Sequence, residues 1–186
     1  MPNCKHYEIC GLESIDSESL CILHSQNPKK DVNAFRDALE KHLQDQTRIA
    51  HDFKYFFFPE GATGLLPKSF EKDTVFNEAT FLGENDLRWV KFNRRVSFVG
   101  SIFRGETHFS YAFFKAPVEF EKSIFGGSTF FNSTKFVREV NFGKVIFKGR
   151  THFDHASFKR DVFFLGTIFG CVSEIVAFLF FENQNY

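Results

Sequence analysis

Residues 98–131, FVGSIFRGETHFSYAFFKAPVEFEKSIFGGSTFF, show the pattern that decides the fold, because phenylalanine recurs there at alternating steps of five and six residues. The same steps cover nineteen positions, of which eighteen are Phe and one is Leu. We call them the Phe lattice: Phe70, Phe76, Phe81, Leu87, Phe92, Phe98, Phe103, Phe109, Phe114, Phe120, Phe125, Phe131, Phe136, Phe142, Phe147, Phe153, Phe158, Phe164 and Phe169. So regular a period indicates a stack of repeated units.

The lattice continues more weakly at both ends, to Leu65, Ile175, Phe180 and Tyr186. Two residues before the lattice position, most repeats have a small or β-branched side chain, as at Ser101, Thr107, Ala112, Val118 and Ser123. Positions two apart lie on the same side of an extended chain, so each short strand points one small and one large residue inward. A strand this short cannot bury a core alone, and the pattern therefore predicts stacked coils.

This pairing of a small residue with a central Phe or Leu resembles the pentapeptide-repeat family. The resemblance covers about two-thirds of the chain. It implies an all-β fold, a right-handed quadrilateral β-helix. The simplest members advance five residues per side, whereas this chain alternates five and six and so has an 11-residue unit.

Glycine shows a second period, which sets the length of one coil. It recurs every 22 residues, at Gly83, Gly105, Gly127 and Gly149. Two 11-residue units therefore form one coil with four sides. We expect these glycines at a corner that needs a positive φ or a tight bend.

Three cysteines and a histidine near the N-terminus, Cys4, Cys10, Cys21 and His24, have the spacing C-x5-C-x10-C-x2-H. Three thiolates and one imidazole suit tetrahedral zinc, and four protein ligands would make that zinc structural rather than catalytic. The alternative is free thiols beside a surface histidine, since the first gap exceeds the usual two to four residues. The segment also resembles short Cys/His segments that precede Phe-rich pentapeptide repeats in bacterial proteins.

A helix is predicted after this segment, capped by Asp31 or Asn33 and ending near Ala50, with Phe35, Leu39 and Leu43 on one face. A strand is predicted at residues 53–58. We expect the helix to cover the open end of the solenoid rather than to bind a partner. The predicted segments are a Cys/His module at 1–30, a capping helix and entry strand at 31–64, and the solenoid at 65–186.

The start of the chain, MPNCKHYEIC, lacks the apolar region and cleavage site of a signal peptide. No apolar run approaches the roughly 20 residues that cross a bilayer. We therefore expect a cytoplasmic protein with no membrane association. In that compartment, four cysteines favour a metal or free thiols over disulfides.

The sequence has no Gly-rich phosphate loop, zinc-protease motif or nucleophile elbow. A solenoid axis filled with Phe leaves no internal pocket, so we expect that the chain is not an enzyme. His108 and His152 are two coils apart with Phe130 between them, too far to share a metal. A basic column, Lys72, Arg94, Arg138 and Arg160, is interpreted as a solvated corner rather than an anion-binding strip.

Two functions compete for this fold. The first is a non-catalytic interaction or scaffold protein that binds an unknown protein partner. The second is implied by the family resemblance, because some members mimic duplex DNA and modulate DNA gyrase. Mimicry requires an acidic surface, but residues 65–186 carry 16 Lys or Arg against 13 Asp or Glu, a net charge of +3. The first function is therefore preferred, and a nucleic-acid partner is not expected.

The residue before each lattice position points outward, and one side has isoleucine there at Ile102, Ile124, Ile146 and Ile168. This column could reflect β-propensity alone. A contiguous exposed apolar face also favours burial against a partner, most simply in a homodimer. These four residues are our candidate partner-binding face.

Overall fold

The structure is a computed structural model that describes residues 2–15 and 17–170 and the backbone of Phe180–Phe181. The repeat region is a four-sided solenoid in which strands pair in parallel with the strand one coil further along the chain. In the middle coils the paired residues are 22 apart, as in Ile124 with Ile146 and Val118 with Val140. The predicted all-β solenoid with 22-residue coils is confirmed.

Each side of the solenoid is one parallel sheet. The first side contains β1 (Ala50–Asp52), β4 (Asp73–Val75), β8 (Val96–Ser97), β12 (Val118–Glu119), β16 (Val140–Asn141) and β20 (Val162–Phe163). The second side contains β2 (Phe57–Phe58), β5 (Thr80–Phe81), β9 (Ile102–Phe103), β13 (Ile124–Phe125), β17 (Ile146–Phe147) and β21 (Ile168–Phe169). The third side contains β6 (Asn85–Asp86), β10 (Thr107–His108), β14 (Thr129–Phe130) and β18 (Thr151–His152). The fourth side contains β3 (Ser69–Phe70), β7 (Lys91–Phe92), β11 (Phe113–Phe114), β15 (Lys135–Phe136), β19 (Ser157–Phe158) and β22 (Phe180–Phe181).

The core consists of continuous stacks of Phe rings along the solenoid axis. Lattice side chains from Phe70 to Phe158 are at most 3% exposed. Phe98, Phe120 and Phe142 stack with centroids 5.1 Å apart and planes within 4° of parallel. Rings of neighbouring stacks meet edge to face, as Phe109 meets Phe120. Burial of each Phe side chain contributes about 1.5–3 kcal/mol, so the stacks are a large favourable term in folding.

The five-residue steps of the lattice turn a corner through a left-handed residue. In the step from Phe120, the Ser123 N–H donates to the Phe120 carbonyl and the residue before Ser123, Lys122, has φ 61°. This hydrogen bond with a positive φ at the third residue is the signature of a type II turn. The same conformation recurs every 11 residues, at Glu78, Trp89, Gly100, Tyr111, Lys122, Ser133, Lys144, His155 and Gly166.

The glycines that recur every 22 residues have a different role from the one predicted. Only Gly83 has a positive φ, of 61°. A Cβ on Gly127 would lie 2.6 Å from the Gly105 carbonyl carbon, and a Cβ on Gly149 would lie 2.5 Å from that of Gly127. Backbones of successive coils touch at this corner, so close approach selects glycine at Gly105, Gly127 and Gly149, and the predicted positive φ holds for Gly83 alone.

The parallel sheets extend upstream to β1. Residues 53–58, predicted as one strand, instead form a turn in which Tyr55 has φ 61°, followed by β2, and β1 precedes this turn. Phe53 stacks on Phe76 at 4.7 Å and Phe58 stacks on Phe81 at 4.6 Å, so this coil is one residue longer than the middle coils.

Both ends of the lattice depart from the predicted positions. Between β2 and β3, the 3-10 helix Ala62–Leu65 takes the place of a strand, and Leu66, not Leu65, is fully buried. At the other end, Phe181 and not Phe180 lies opposite Phe158. Ile175 and Tyr186 lie outside the described residues.

Two α-helices precede the sheets, α1 (Tyr7–Cys10) and α2 (Val32–Gln44). Asp31 caps α2, because its carboxylate accepts from the N–H groups of Asn33 and Ala34 at 2.8 and 3.2 Å. The helix ends at Gln44, earlier than the predicted Ala50. Asp45 ends it, since its carboxylate accepts from the Thr47 N–H and hydroxyl and pairs with Arg48, a local arrangement that competes with helix.

Helix α2 lies over the first coil of the solenoid. Phe35 and Leu39 are fully buried, and the Phe35 ring meets Phe58 at 5.7 Å. His42 is also buried, with its ring 5.3 Å from Phe53. The helix therefore covers apolar surface that an open solenoid end would expose.

His42 is a buried titratable group in this interface. Among the described residues, neither of its ring nitrogens has a hydrogen-bond partner. Burial, helped by the positive charge of Arg48, lowers the pKa of His42 from 6.5 to about 4. The unfolded chain therefore binds this proton at a higher pH than the folded chain, and stability is lost as the pH falls from about 6.5 towards 4.

The inward register is tested by a matched pair of substitutions. Phe120→Ala removes a fully buried ring and leaves a cavity, so the free energy of unfolding should fall by about 3–5 kcal/mol. Phe113→Ala, at a partly exposed outward position, should cost much less. Equal losses in urea unfolding would contradict the register.

His42→Leu should make the protein less sensitive to acid. Between pH 7.5 and 5, the wild type should lose about 2 kcal/mol of stability through this group, and the variant should lose correspondingly less. The measurement is urea unfolding at both pH values. His155→Leu, at an exposed corner, is the control and should keep the wild-type dependence. An unchanged pH dependence in His42→Leu would disprove the assignment.

Candidate metal centre

The four predicted ligands come from three separate segments of the N-terminal module. Cys10 is the last residue of α1. Gly11 caps the C-terminus of this helix in a left-handed conformation with φ 66°. Cys21 and His24 share one turn, in which the His24 N–H donates to the Cys21 carbonyl at 3.0 Å. Cys4 lies between the first residues and α1, next to an antiparallel bridge. The structure brings all four side chains together.

The ligand atoms of this cluster are spaced as a tetrahedral metal site requires. They all lie within 4.8 Å of one another. The Cys21 and Cys10 sulfurs are 3.7 Å apart, and His24 Nδ1 lies 3.2 Å from Cys21 Sγ and 3.6 Å from Cys4 Sγ. A tetrahedron with Zn–S about 2.3 Å and Zn–N about 2.0 Å has edges of about 3.8 Å between sulfurs and about 3.5 Å between sulfur and nitrogen. All four residues are at most 7% exposed.

Hydrogen bonds around the cluster orient its ligands. The His6 and Cys21 backbone N–H groups donate to Cys4 Sγ at 3.4 and 3.3 Å, which favours a thiolate there. His24 Nε2 lies 3.2 Å from the Lys54 carbonyl oxygen. The proton on Nε2 is donated to that carbonyl, so Nδ1 is left as the ligand atom. Lys54 lies between β1 and β2, and the first coil therefore fixes the tautomer of the histidine.

Two of the three thiols resist ionisation without a cation, whereas the hydrogen bond that Cys10 accepts from Cys21 lowers the pKa of Cys10. The hydrogen bond that Cys21 Sγ donates to Cys10 Sγ and burial together raise the pKa of Cys21 to about 12. Burial is also the main cause that raises the pKa of Cys4. A divalent cation would replace these protons and neutralise the thiolates, so metal binding at this cluster releases protons and weakens as the pH falls.

Two aromatic residues that the sequence did not suggest cover this cluster. The His6 ring lies between His24, whose tilted ring is 4.7 Å away, and Tyr55, on which it stacks at 4.6 Å. His6 is close to Cys4 in sequence, but the spacing of the ligands gave no sign of its role. Tyr55 belongs to the first coil, and only the packing of the module against the solenoid reveals it.

The other histidines singled out in the sequence form no second metal cluster among the described residues. His108 and His152 stack on opposite faces of Phe130, each with centroids 4.7 Å apart, so the ring separates them as expected. In the basic column, Arg94, Arg138 and Arg160 are exposed, whereas the Lys72 ammonium group donates to the Arg48 carbonyl at 2.7 Å. Cys171 lies outside the described residues.

The isoleucine column lies on the second side of the solenoid. Ile102, Ile124, Ile146 and Ile168 pair directly across four neighbouring strands. Ile102 is 36% exposed and Ile168 is 55% exposed, while the two central residues are half-buried by their neighbours. The column is therefore a continuous apolar strip that runs along the solenoid axis.

Together, these features define a parallel β-solenoid with a Cys3His cluster packed at its N-terminal end. Residues 69–112 and 109–157 match the family described as pentapeptide repeats (9 copies). The repeat region of this chain belongs to the pentapeptide-repeat family. No curated protein and no solved structure matches the chain. In the described residues, no helix is both long enough and apolar enough to span a bilayer.

Proposed function

We propose that this chain is a non-catalytic interaction protein: a solenoid closed at one end by a structural zinc module and α2, with the isoleucine column as its binding face. The observation that carries the proposal is the in-register apolar strip on the second side.

Zinc suits the N-terminal cluster because of its donor set and its packing. Three sulfurs and one imidazole nitrogen at tetrahedral spacing are typical of structural zinc sites. Four buried protein ligands leave no coordination position for water or substrate. The metal would therefore hold the module in place against the first coil, and its chemistry supports a structural role rather than catalysis.

The lower end of the isoleucine column shows how such a strip is covered. Phe57 pairs with Thr80 at the start of the column and is only 6% exposed. The N-terminal module covers it: the Phe57 N–H donates to the Leu23 carbonyl at 2.8 Å, and the Lys30 ammonium group lies 5.2 Å from its ring centre. From Thr80 toward Ile168, the described part of the chain does not cover the isoleucines in this way.

A second copy of the chain is the simplest partner for this strip. Isoleucines spaced one coil apart on a flat sheet are self-complementary when two solenoids meet face to face around a two-fold axis. Contiguous apolar surface is uncommon on monomers. The alternative function, DNA mimicry, requires an acidic surface, and lysines at outward positions such as Lys91 and Lys135 argue against it.

The zinc proposal predicts one equivalent of zinc in protein purified without chelators. Cys21→Ser should lose the metal, because it removes a ligand from a closed set, while the β-type circular dichroism of the solenoid remains. Metal content is measured by atomic emission, and Cys171→Ser is the matched control that should keep its zinc. Metal-free wild-type protein, or equal zinc loss in both variants, would contradict the proposal.

The partner proposal predicts a dimer in analytical ultracentrifugation. Ile124→Lys combined with Ile146→Lys should give a folded monomer, because charges would then face each other across the interface. Glu119→Lys combined with Asn141→Lys changes outward positions of the same coils on the first side and should remain dimeric. A wild type that is monomeric at the highest attainable concentration, or equal dissociation of both variants, would overturn the homodimer.

A further inference from the structure

The fourth side of the solenoid carries an exposed pair of aromatic rings at its corner. Trp89 and Tyr111 stack with centroids 4.1 Å apart and planes within 4° of parallel. Trp89 is 61% exposed and Tyr111 is 50% exposed. Both occupy left-handed turn positions, with φ 64° and 61°. The turn would be formed more easily by glycine, so the fold does not require these two large rings.

In the column of corner residues that holds this pair, the next coil lacks an aromatic ring. This leaves an open place as thick as one ring. Its column continues from Tyr111 through Ser133 to His155, one residue per coil. On the neighbouring third side, His108, Phe130 and His152 stack 4.7 Å apart, which shows that rings at coil spacing pack face to face even outside the core. At Ser133 the ladder is interrupted by a small side chain. A planar ring from another molecule would fit there against Tyr111.

A groove of about 550 Å³ adjoins the aromatic pair and carries positive charge. Trp89, Tyr111 and Phe113 provide its aromatic surface, and Lys91 and Lys135 lie directly on either side of Phe113 in the sheet. No acidic side chain of the described residues lines this groove. Neither lysine forms an ion pair within the described part of the chain.

Lysine at outward strand positions is confined to this side of the repeat coils. The corresponding positions of the first side are Val75, Ser97, Glu119, Asn141 and Phe163. Those of the second side are Thr80 and the four isoleucines, and those of the third are Asp86, His108, Phe130 and His152. Nearby acidic groups have other partners: Glu71 accepts from Ser69 and Asn93, and Asp86 pairs with Arg88. The positive charge is thus local, although the whole chain has a net charge of zero.

We propose that the fourth side binds single-stranded nucleic acid, with a base inserted at Ser133 against Tyr111 and phosphates held by Lys91 and Lys135. Aromatic rings that stack bases beside a basic track are the two elements of single-strand recognition. A duplex would not serve, because its bases are already stacked on one another. No nucleic-acid partner was expected from the sequence, because the net charge gave no sign of one. The structure differs because it places two lysines beside the aromatic rings.

Trp89 is the single tryptophan of the chain, so its fluorescence reports on this site directly. Titration with oligothymidine of about ten nucleotides at about 50 mM salt should quench Trp89 saturably. Tyr111→Ser, which copies the residue found at Ser133, should weaken binding by roughly 5- to 150-fold, the range for loss of one stacked base. Lys91→Gln with Lys135→Gln should lower the slope of log affinity against log salt by about 1.4.

Ser133→Tyr distinguishes base insertion from general adhesion to aromatic residues. The new ring would fill the open place and should weaken binding, whereas simple adhesion would strengthen it. Tyr111→Phe should bind as the wild type does, and so should Phe163→Ala, which removes an exposed ring on the first side. Thermal unfolding of each variant confirms that the solenoid is intact.

Several results would overturn this proposal. One is the absence of saturable quenching by the oligonucleotide. Another is equal binding of heparin, a polyanion without aromatic rings, which would reduce the site to charge alone. Thymidine monophosphate binding as tightly as the oligonucleotide would show a site for free nucleotides instead. Unchanged affinity in Tyr111→Ser or tighter binding in Ser133→Tyr would remove the stacking role.

Discussion

Face-to-face stacking of Phe rings at the spacing of the β-ladder is the constraint on which the rest of this structure depends. Strand pairing sets the distance between coils, and a ring placed at the same position of every coil then meets its neighbour at 4.6–5.3 Å. A residue displaced by one position would turn outward and interrupt the stack. The register of the whole solenoid is therefore held by side chains as well as by backbone hydrogen bonds, and the outward positions are left to other uses.

The solenoid could be predicted from sequence because its contacts are periodic. Phe120 and Phe142 meet because they are one coil apart, and a period can be counted. The observed positions differ from the predicted ones where the repeat period ends. The 23-residue offset that places Phe53 on Phe76 arises between Phe58 and Phe70, where the 3-10 helix Ala62–Leu65 replaces a strand, and no repeat upstream reveals it. The prediction for the recurring glycines was also incomplete. Their backbones touch the backbone of the preceding coil, and a contact between residues 22 apart is not evident from the local sequence.

The Cys/His cluster was predictable for a different reason. Cys4, Cys10, Cys21 and His24 are chemically distinctive, and few arrangements use them together. What the sequence could not show is the support they receive from the solenoid, namely the Lys54 carbonyl that fixes the histidine tautomer. Module and solenoid thus depend on each other: the first coil orients a ligand, and the module with α2 covers that coil. Loss of either would expose apolar surface that neither can bury alone.

The left-handed corner that recurs every 11 residues has a consequence for how this protein can change over evolutionary time. Seven of its nine positions hold a side chain other than glycine, from serine to tryptophan, and all adopt nearly the same φ. The strain arises at the backbone and Cβ, so it is about equal for each of these residues. Exchanging one of these residues for another therefore changes the stability of the fold little. Selection can therefore change the surface along these two edges one residue at a time, while the ring stacks inside stay as they are.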